Sequence, residues 1–203
     1  MKDRKREWVV KIERPEEIYG NPELYYTEEE IEKYALSGGM KKTQEKIAFR
    51  ILELLELESG KLLDLGCGVG YTTQIYKNED FEIIGIDILE KMLEKAREKN
   101  INVIKADMRN LQEFFPAKIF DAVVSASALQ WIKNEEELER VAYGIYHVLK
   151  DKGKIVLQFY PKSHEEMMQT ARIFKKAGFE GKLIIDSPEN PKKRVIYLVM
   201  EKI

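Results

Sequence analysis

The sequence contains few of the residues that form cross-links, bind metals or transfer protons. Cys67 is its only cysteine, which excludes an internal disulfide and fits a reducing compartment. His147 and His164 are its only histidines, and both lie in helical patterns. No Cys/His cluster has the spacing of metal ligands, so we predict no bound metal.

Long apolar runs and a basic surplus are also missing. No run reaches the roughly 18–20 residues of a membrane-spanning helix, and the charged start, MKDRKREW, lacks the apolar core of a secretory signal. These absences predict a cytoplasmic protein without a membrane anchor. The formal net charge is −2, whereas proteins that bind nucleic acid unaided usually carry a basic surplus. The local basic clusters are Lys2–Arg6 and Pro191–Arg194.

Helical patterns dominate the chain before Gly60, with a break predicted at Gly38-Gly39. After Gly60, short apolar runs alternate with helical patterns, which is typical of a mostly parallel sheet covered by helices on both faces. The last two runs are joined only by SPENPKK, so we predict that they pair antiparallel. The predicted strands are Lys61–Leu65, Glu82–Asp87, Asn102–Ala106, Asp121–Ser125, Lys154–Phe159, Leu183–Asp186 and Val195–Glu201.

These patterns predict a Rossmann-like α/β fold with a seven-stranded, mostly parallel sheet and an antiparallel last strand. We divide the chain into an N-terminal helical extension at residues 1–58 and a sheet domain at residues 59–203. Open parallel sheets bind ligands beyond the carboxyl ends of their strands. We therefore expect the site at that edge of the sheet.

A glycine-rich loop follows the first predicted strand. KLLDLGCGVGYT begins at Lys61 and places Gly66, Gly68 and Gly70 in five positions. Glycine tolerates positive φ and lets a ligand approach the backbone, and the N–H groups that open the next helix favour a negatively charged group. The loop therefore indicates a nucleotide-like ligand.

Acidic residues lie at or near the ends of three predicted strands: Asp64, Asp87 and Asp107. At the second strand end, Asp87 can accept hydrogen bonds from two ribose hydroxyls, and Asp107 is well placed for an adenine amino group. A dinucleotide fingerprint requires glycine or alanine where Tyr71 stands, and the G-K-[ST] of a triphosphate loop is missing. The three acids together predict an adenine nucleoside.

The pattern D-x-G-x-G-x-G at residues 64–70 resembles the S-adenosylmethionine (SAM) loop of class I methyltransferases. This resemblance implies that SAM is the cofactor and S-adenosylhomocysteine the product. It also implies that the loop holds the methionine part, the second-strand acid the ribose and the third-strand acid the adenine. The cofactor-binding residues that it implies are Asp64, Gly66, Cys67, Gly68, Gly70, Asp87, Ile88, Asp107, Met108 and Ser125.

Further stretches resemble the small-subunit ribosomal RNA (guanine-N7)-methyltransferases of ribosome biogenesis. They include RPEEIYGNPELYYTEEEIEKYA, SASALQWI, QFYPKSHEEM and IIDSPENPKKRVIYL, and the likeness runs from about Arg14 to Met200. It implies ribosomal RNA or the pre-ribosomal small subunit as substrate. By this resemblance the chain is a short, archaeal-type relative. It departs from the family in two places: Gly38-Gly39-Met40 stands where members have Ser-Arg-Met, and the basic extension of the eukaryotic members is missing after Ile203. These departures leave the methyl donor unaffected and bear on the RNA target.

Methylation of guanine N7 requires no general base, because N7 already carries a lone pair. The enzyme must orient the reactants and exclude water, so we predict no catalytic acid or base. In the stretch after the fourth strand, Ser127 leaves room for a flat base, Gln130 can bond a base edge and Trp131 can stack. The predicted substrate-binding residues are Ser127, Gln130, Trp131, Tyr25, Tyr26 and Tyr160. Two plainer readings remain open: Trp131 packs against the following helix, and Cys67 is a small loop residue.

The third predicted strand provides a candidate docking edge. In this fold it lies at the edge of the sheet, and here it is apolar at Ile101, Val103 and Ile104. Exposed edges of this kind accept a strand from another protein. The resemblance implies a small zinc-binding activator subunit near Ile101–Ala106. The alternative is an edge that the chain's own loop, RNLQEFFPAKIF, covers.

Other functions stay open at this point. A class I methyltransferase that acts on a small metabolite would share the glycine loop and the acids. A SAM-binding ribosome assembly factor would need no methyl transfer. A nicotinamide oxidoreductase fits worst, because Tyr71 interrupts its fingerprint and no proton donor is recognisable.

Overall fold

The computed structural model describes residues 14–203, which form a seven-stranded sheet with helices on both faces. Residues 1–13, with the Lys2–Arg6 cluster and the start of the predicted extension, lie outside the described residues. The strands are β1 (Gly60–Leu65), β2 (Phe81–Asp87), β3 (Val103–Lys105), β4 (Phe120–Ala126), β5 (Leu149–Phe159), β6 (Phe179–Asp186) and β7 (Val195–Lys202). Their order is β3-β2-β1-β4-β5-β7-β6, and β7 is antiparallel to both of its neighbours.

This topology confirms the predicted fold, and the main differences lie at strand ends. β5 begins at Leu149 instead of Lys154, because the charged residues between them form a bulged strand rather than a loop. β3 is shorter than predicted and contains only Val103–Lys105. The carboxyl ends of the parallel strands β1, β2, β3 and β4 lie along one edge, where the sequence predicts the ligand site.

An apolar layer lies on each face of the sheet, between the sheet and the helices that cover it. The helices of the described chain are α1 (Pro15–Ile18), α2 (Pro22–Tyr25), α3 (Glu28–Leu36), α4 (Gly38–Leu55), α5 (Tyr71–Asn78), α6 (Glu90–Arg97), α7 (Leu111–Phe114), α8 (Glu135–Val148) and α9 (His164–Lys176). On one face, Ile51 of α4 and Tyr76 of α5 pack against the sheet. On the other, Ile145 of α8 and Phe174 of α9 do so. Each layer buries the apolar stripe of its helices, which stabilises the fold.

The four helices that precede β1 differ from the prediction at Gly38-Gly39. These glycines do not break the helical region but form the first turn of α4. The break falls at Ser37, whose Oγ accepts a hydrogen bond from the N–H of Met40 at 3.2 Å. Serine is a favoured residue at a helix start because its hydroxyl binds a free N–H group. The glycine pair therefore follows the cap instead of ending the preceding helix.

A buried lysine stabilises the end of α8. Lys202 Nζ donates to the carbonyl oxygens of Tyr146 at 2.7 Å and Leu149 at 2.8 Å. Its side chain is 4% exposed, and Nζ lies 4.1 Å from the centroid of the Tyr146 ring. The cation thus compensates carbonyl groups that the helix leaves unpaired and that carry its partial negative charge.

We expect Lys202→Met to lower the free energy of unfolding by about 2–4 kcal/mol, because buried carbonyl groups lose charged donors. Urea unfolding measures this change. Lys182→Met is the matched control, because Lys182 is exposed on the neighbouring strand β6, and it should change the stability little. Equal stabilities of the two variants would contradict the role that we assign to Lys202.

Candidate active site

A cavity of about 730 Å³ lies at the carboxyl edge of the sheet, between the glycine loop and the helices before β1. Most of the predicted site residues line it. They are Gly66, Cys67, Gly68, Asp87, Ile88, Asp107 and Met108 from the predicted cofactor set, and Tyr25, Tyr26, Ser127, Gln130, Trp131 and Tyr160 from the predicted substrate set. Asp64, Gly70 and Ser125 are not part of its lining. The fold therefore brings both predicted sets to one space.

The three loop glycines have positive φ but different surroundings. A Cβ on Gly66 would lie 2.3 Å from the Cβ of Ala128, and one on Gly70 would lie 2.3 Å from Cδ1 of Ile101. A Cβ on Gly68 would meet only Met92 Sδ, at 4.0 Å. The sequence predicts that all three glycines permit a sharp turn and the approach of a ligand. At Gly66 and Gly70 the missing Cβ also allows close packing against Ala128 and Ile101, whereas the space in front of Gly68 is open.

Asp87 connects the end of β2 to the glycine loop. Its Oδ2 accepts from the N–H of Gly68 at 3.0 Å, and its Oδ1 accepts from the N–H of Leu89 at 2.9 Å. Burial raises the pKa of Asp87, and these N–H groups oppose the rise. Each carboxylate oxygen can accept a second hydrogen bond. The residue therefore fits a ligand with two adjacent hydroxyls, as a ribose has.

Asp107 is held by an arginine that the sequence analysis missed. Arg109 donates to Asp107 Oδ2 through Nε at 2.9 Å and Nη2 at 2.6 Å, and to Glu137 Oε1 through Nη1 at 2.8 Å. Burial alone would raise the pKa of Asp107, but the hydrogen bonds and charge of Arg109 lower it below its usual value. The carboxylate is thus fixed in place as an ion. The short spacing D-x-R was the signal in the sequence.

Asp64 is buried and is not part of the cavity lining. Its Oδ2 accepts from the hydroxyls of Thr72 at 2.9 Å and Thr73 at 2.8 Å, in the first turn of α5. Its Oδ1 is buried and has no partner among residues 14–203. Burial raises the pKa of Asp64 to about 7, although the threonine hydroxyls lower it. The geometry thus gives Asp64 a role in joining β1 to α5.

The raised pKa of Asp64 predicts a pH dependence of stability. Aspartate in an unfolded chain titrates near pH ~3.9, whereas folded Asp64 titrates at about 7. In this interval the native state holds a proton that the unfolded state has released. Stability that is fully present below pH ~4 is therefore lost as the pH rises to about 7.

We expect the difference in unfolding free energy, wild type minus Asp64→Asn, to decrease from pH ~4 to about 7 and then level off. Urea unfolding of both proteins across this range measures it. The other titrating groups are common to both proteins, so their contributions cancel to a first approximation. A flat or rising difference would refute the assignment.

Cys67 and Ser125 have structural surroundings. Cys67 is buried, and burial raises the pKa of its thiol well above the usual value. A Cβ on the neighbouring Gly85 would lie 2.8 Å from its sulfur, so the site tolerates only small groups. Ser125 Oγ donates to the carbonyl oxygen of Leu65 at 2.9 Å and links β4 to β1. Neither side chain is arranged as a nucleophile, because a nucleophilic thiol requires a lowered pKa.

Five aromatic residues, Tyr25, Tyr26, Tyr34, Tyr71 and Trp131, form what we call the aromatic cluster over the cavity. The rings of Trp131 and Tyr25 are 6.2 Å apart and inclined by 29°, and those of Trp131 and Tyr26 are 5.9 Å apart. Trp131 thus contacts the helices before β1, a packing that the sequence analysis did not consider. Tyr34, in contact with Tyr26, was not foreseen as a lining residue.

Tyr71 joins the aromatic cluster to the glycine loop. Its hydroxyl donates to the carbonyl oxygens of Tyr34 at 3.2 Å and Ala35 at 2.8 Å, at the end of α3. Its ring stacks on Tyr34, with centroids 5.8 Å apart. A dinucleotide fingerprint needs a small residue at this position. Here the large side chain fastens the helices before β1 to the loop.

Comparison with known proteins agrees with this geometry. The family described as "Methyltransferase domain" matches residues 63–157. The 18S rRNA (guanine-N(7))-methyltransferase bud23 of Schizosaccharomyces pombe is 35% identical over 94% of this chain and 75% of its own length. This chain is a member of that rRNA methyltransferase family. The 18S rRNA (guanine(1575)-N(7))-methyltransferase of Saccharomyces cerevisiae is 37% identical over 88% of this chain and 69% of its own length.

Solved structures support the fold of this rRNA methyltransferase family member. A Pyrococcus horikoshii protein superposes with a TM-score of 0.69 at 22% identity, over 85% of this chain and 99% of its own. A TehB-like SAM-dependent methyltransferase from Corynebacterium glutamicum superposes with a TM-score of 0.68 at 17% identity, over 87% and 100%. Among residues 14–203, we find no helix with the length and hydropathy of a membrane span.

Proposed function

We propose that this chain transfers the methyl group of SAM to N7 of a guanine in small-subunit ribosomal RNA, in the cytoplasm and during ribosome biogenesis. The observation that carries the proposal is the similarity to bud23 over 94% of the chain. So wide a match must include most of the helices before β1 as well as the sheet. We propose that residues 1–58 act as a cap on the sheet domain at residues 59–203.

The positions of the predicted cofactor-binding residues relative to the cavity suggest a role for each of them. We propose that Asp87 accepts from the ribose hydroxyls, that Gly68 faces the methionine part, and that Ile88 and Met108 flank the adenine. Asp107, fixed by Arg109, would accept from the adenine amino group. Asp64, Gly70 and Ser125 would support the loop from behind. The fit rests on the free acceptor sites of Asp87 and the open space in front of Gly68.

The chain's own residues would act by orientation and shielding. Bound SAM supplies an electrophilic methyl group, and guanine N7 needs no deprotonation to accept it. Trp131 and the tyrosines would hold the base flat and exclude water from the reacting atoms. Methylated guanine is cationic, and the faces of aromatic rings attract cations. The aromatic cluster therefore favours the charge that develops during transfer.

Transfer of tritium from labelled SAM tests this function. The acceptors are small ribosomal subunits from cells that lack the protein, subunits from wild-type cells, and a small-molecule extract. We expect label only in the RNA of the small subunits from cells that lack the protein, at guanine N7. Label in the extract would support a metabolite methyltransferase. Equal labelling of both subunit preparations would contradict the proposal.

We also propose that a small zinc-binding activator subunit docks on β3. This strand ends the sheet order, and Val103 and Ile104 remain partly exposed. In the loop that follows β3, Leu111 and Phe115 are buried in the core next to α8. Because these apolar residues pack there, they are not available to cover β3, which argues against the alternative of an edge covered by this loop. Ile101 cannot belong to the docking edge, because it is buried against Gly70 and α6. Gel filtration with a candidate activator tests the docking, and two unshifted peaks would count against it.

A further inference from the structure

Glu16 is a nearly buried carboxylate in the wall of the main cavity. It lies in α1, lines the cavity together with Gln130 and Trp131, and its side chain is only 7% exposed. Its ion pair is long, with Arg14 Nη1 3.8 Å from Oε1. The same nitrogen donates to the carbonyl oxygen of Tyr160 at 2.6 Å. Burial raises the pKa of Glu16, although the hydrogen bond from its own backbone N–H and the charges of Arg14 and Lys162 lower it. The loss of water around the carboxylate therefore outweighs its partners.

Gln130 contributes a second acceptor to this wall. Its Nε2 donates to the carbonyl oxygen of Ser127 at 2.9 Å. A carbonyl oxygen can only accept, so this bond fixes the orientation of the amide. Oε1 is then left buried without a hydrogen-bond partner in the described part of the chain. Buried acceptors without donors are costly, and a ligand that supplies donors would remove this cost.

Glu16 and Gln130 line the same cavity, and two acceptors that face one base would select among the bases by their hydrogen-bond patterns. Guanine presents two adjacent donors on its Watson–Crick edge, N1–H and the N2 amino group. Adenine and cytosine present one donor beside an acceptor, and uracil presents one donor between two acceptors. An unpaired acceptor against another acceptor is strongly unfavourable, so a wall of acceptors rejects these three bases.

We propose that Glu16 and Gln130 read the Watson–Crick edge of the target guanine while Trp131 and Tyr25 supply stacking faces beside it. This inference rests on the proposed function. Glu16 would then determine which base the site accepts. The carboxylate binds N1–H and N2–H, and Gln130 Oε1 accepts from the second hydrogen of the N2 amino group.

Glu16 also has a consequence for the rate. Transfer of the methyl group to N7 makes the guanine ring positive and its N1–H a stronger donor. The carboxylate therefore binds the transition state more tightly than the ground state, which raises kcat. If Glu16 had only a structural role, the rate of methyl transfer would not depend on which base is bound.

Binding of mononucleotides tests the inference without any methyl transfer. GMP, IMP and AMP are titrated at millimolar concentrations into the protein loaded with S-adenosylhomocysteine, and binding is followed by saturation-transfer NMR. IMP differs from GMP only in lacking the 2-amino group. We expect the affinity to decrease in the order GMP, IMP, AMP. Glu16→Gln should lower the affinity for GMP at least ~10-fold, which corresponds to the loss of one charge-assisted hydrogen bond.

The matched control is Glu29→Gln, which alters an exposed glutamate of α3 outside the cavity and should keep the order. Equal binding of the three nucleotides, a GMP preference that survives Glu16→Gln, or no binding of any would each overturn the inference. Tritium transfer to subunits is measured in parallel, where Glu16→Gln should lower kcat as well as raise KM. Absence of transfer by the wild type would instead refute the proposed function.

Discussion

Asp87→Asn is expected to weaken the binding of SAM and S-adenosylhomocysteine at least ~100-fold. Asparagine can accept through only one atom, so either the N–H of Gly68 or that of Leu89 would face an amide NH₂ group. The ribose would also lose charged acceptors, each of which contributes about 1.5–3 kcal/mol, and ~1.4 kcal/mol corresponds to a tenfold change in affinity. Titration calorimetry measures the loss.

Asp80→Asn is the control for this substitution, because Asp80 is exposed and distant from the cavity lining. It should leave the affinity unchanged. Near-wild-type affinity of Asp87→Asn would refute the cofactor site. The same variant separates an enzyme from an assembly factor: ribosome maturation that proceeds normally in cells carrying Asp87→Asn, while N7 methylation is lost, would favour a role independent of transfer.

Gly66→Ala is expected to destabilise the protein by about 2–5 kcal/mol. Left-handed backbone costs an alanine about 1–2 kcal/mol, and Gly66 has a φ of 68°. The new methyl group would also overlap Ala128, whose Cβ would be 2.3 Å away, and overpacking of this kind costs about 1–3 kcal/mol. Urea unfolding of the ligand-free protein measures the sum.

Gly68→Ala is a matched comparison for stability, though not for ligand binding. Its φ of 54° imposes the same kind of backbone strain, but the new methyl group meets only Met92 Sδ at 4.0 Å. We expect Gly66→Ala to be less stable than Gly68→Ala by about 1–3 kcal/mol, the cost of the overlap. Equal losses of stability in the two variants would mean that Ala128 moves aside at no cost in free energy. Backbone strain alone would then explain why glycine is needed at both positions.

The number of strands, the mostly parallel sheet and its antiparallel ending could be predicted, because hydrophobic periodicity and the type of connection indicate them. The start of β5 could not, since Lys150–Gly153 has the composition of a loop but forms a bulged strand beside β4. β6 also begins earlier than predicted, at Phe179 instead of Leu183. Local patterns cannot reveal a bulge that a neighbouring strand imposes. For the same reason the buried role of Lys202 is not visible from its terminal, charged stretch.

Asp87 and Asp107 could be predicted as site residues, because the carboxyl ends of adjacent parallel strands share one edge. Asp64 follows the same pattern, yet its carboxylate accepts from Thr72 and Thr73 and is not part of the cavity lining. Glu16 was not foreseen, since it reaches the wall only after the helices before β1 fold across the sheet. Long-range placement of that kind leaves no periodic signal.

Tyr71 has a consequence for the catalytic cycle. Tyr71 is the first residue of α5, and its hydroxyl binds carbonyl oxygens at the end of α3. One side chain therefore connects the end of the glycine loop to the helices that we propose as a cap. Such coupling is reciprocal. If cofactor binding at the glycine loop stabilises the position of the cap helices, then those helices in that position strengthen cofactor binding by the same free energy. We therefore expect the release of S-adenosylhomocysteine and the release of the methylated RNA to be coupled through Tyr71.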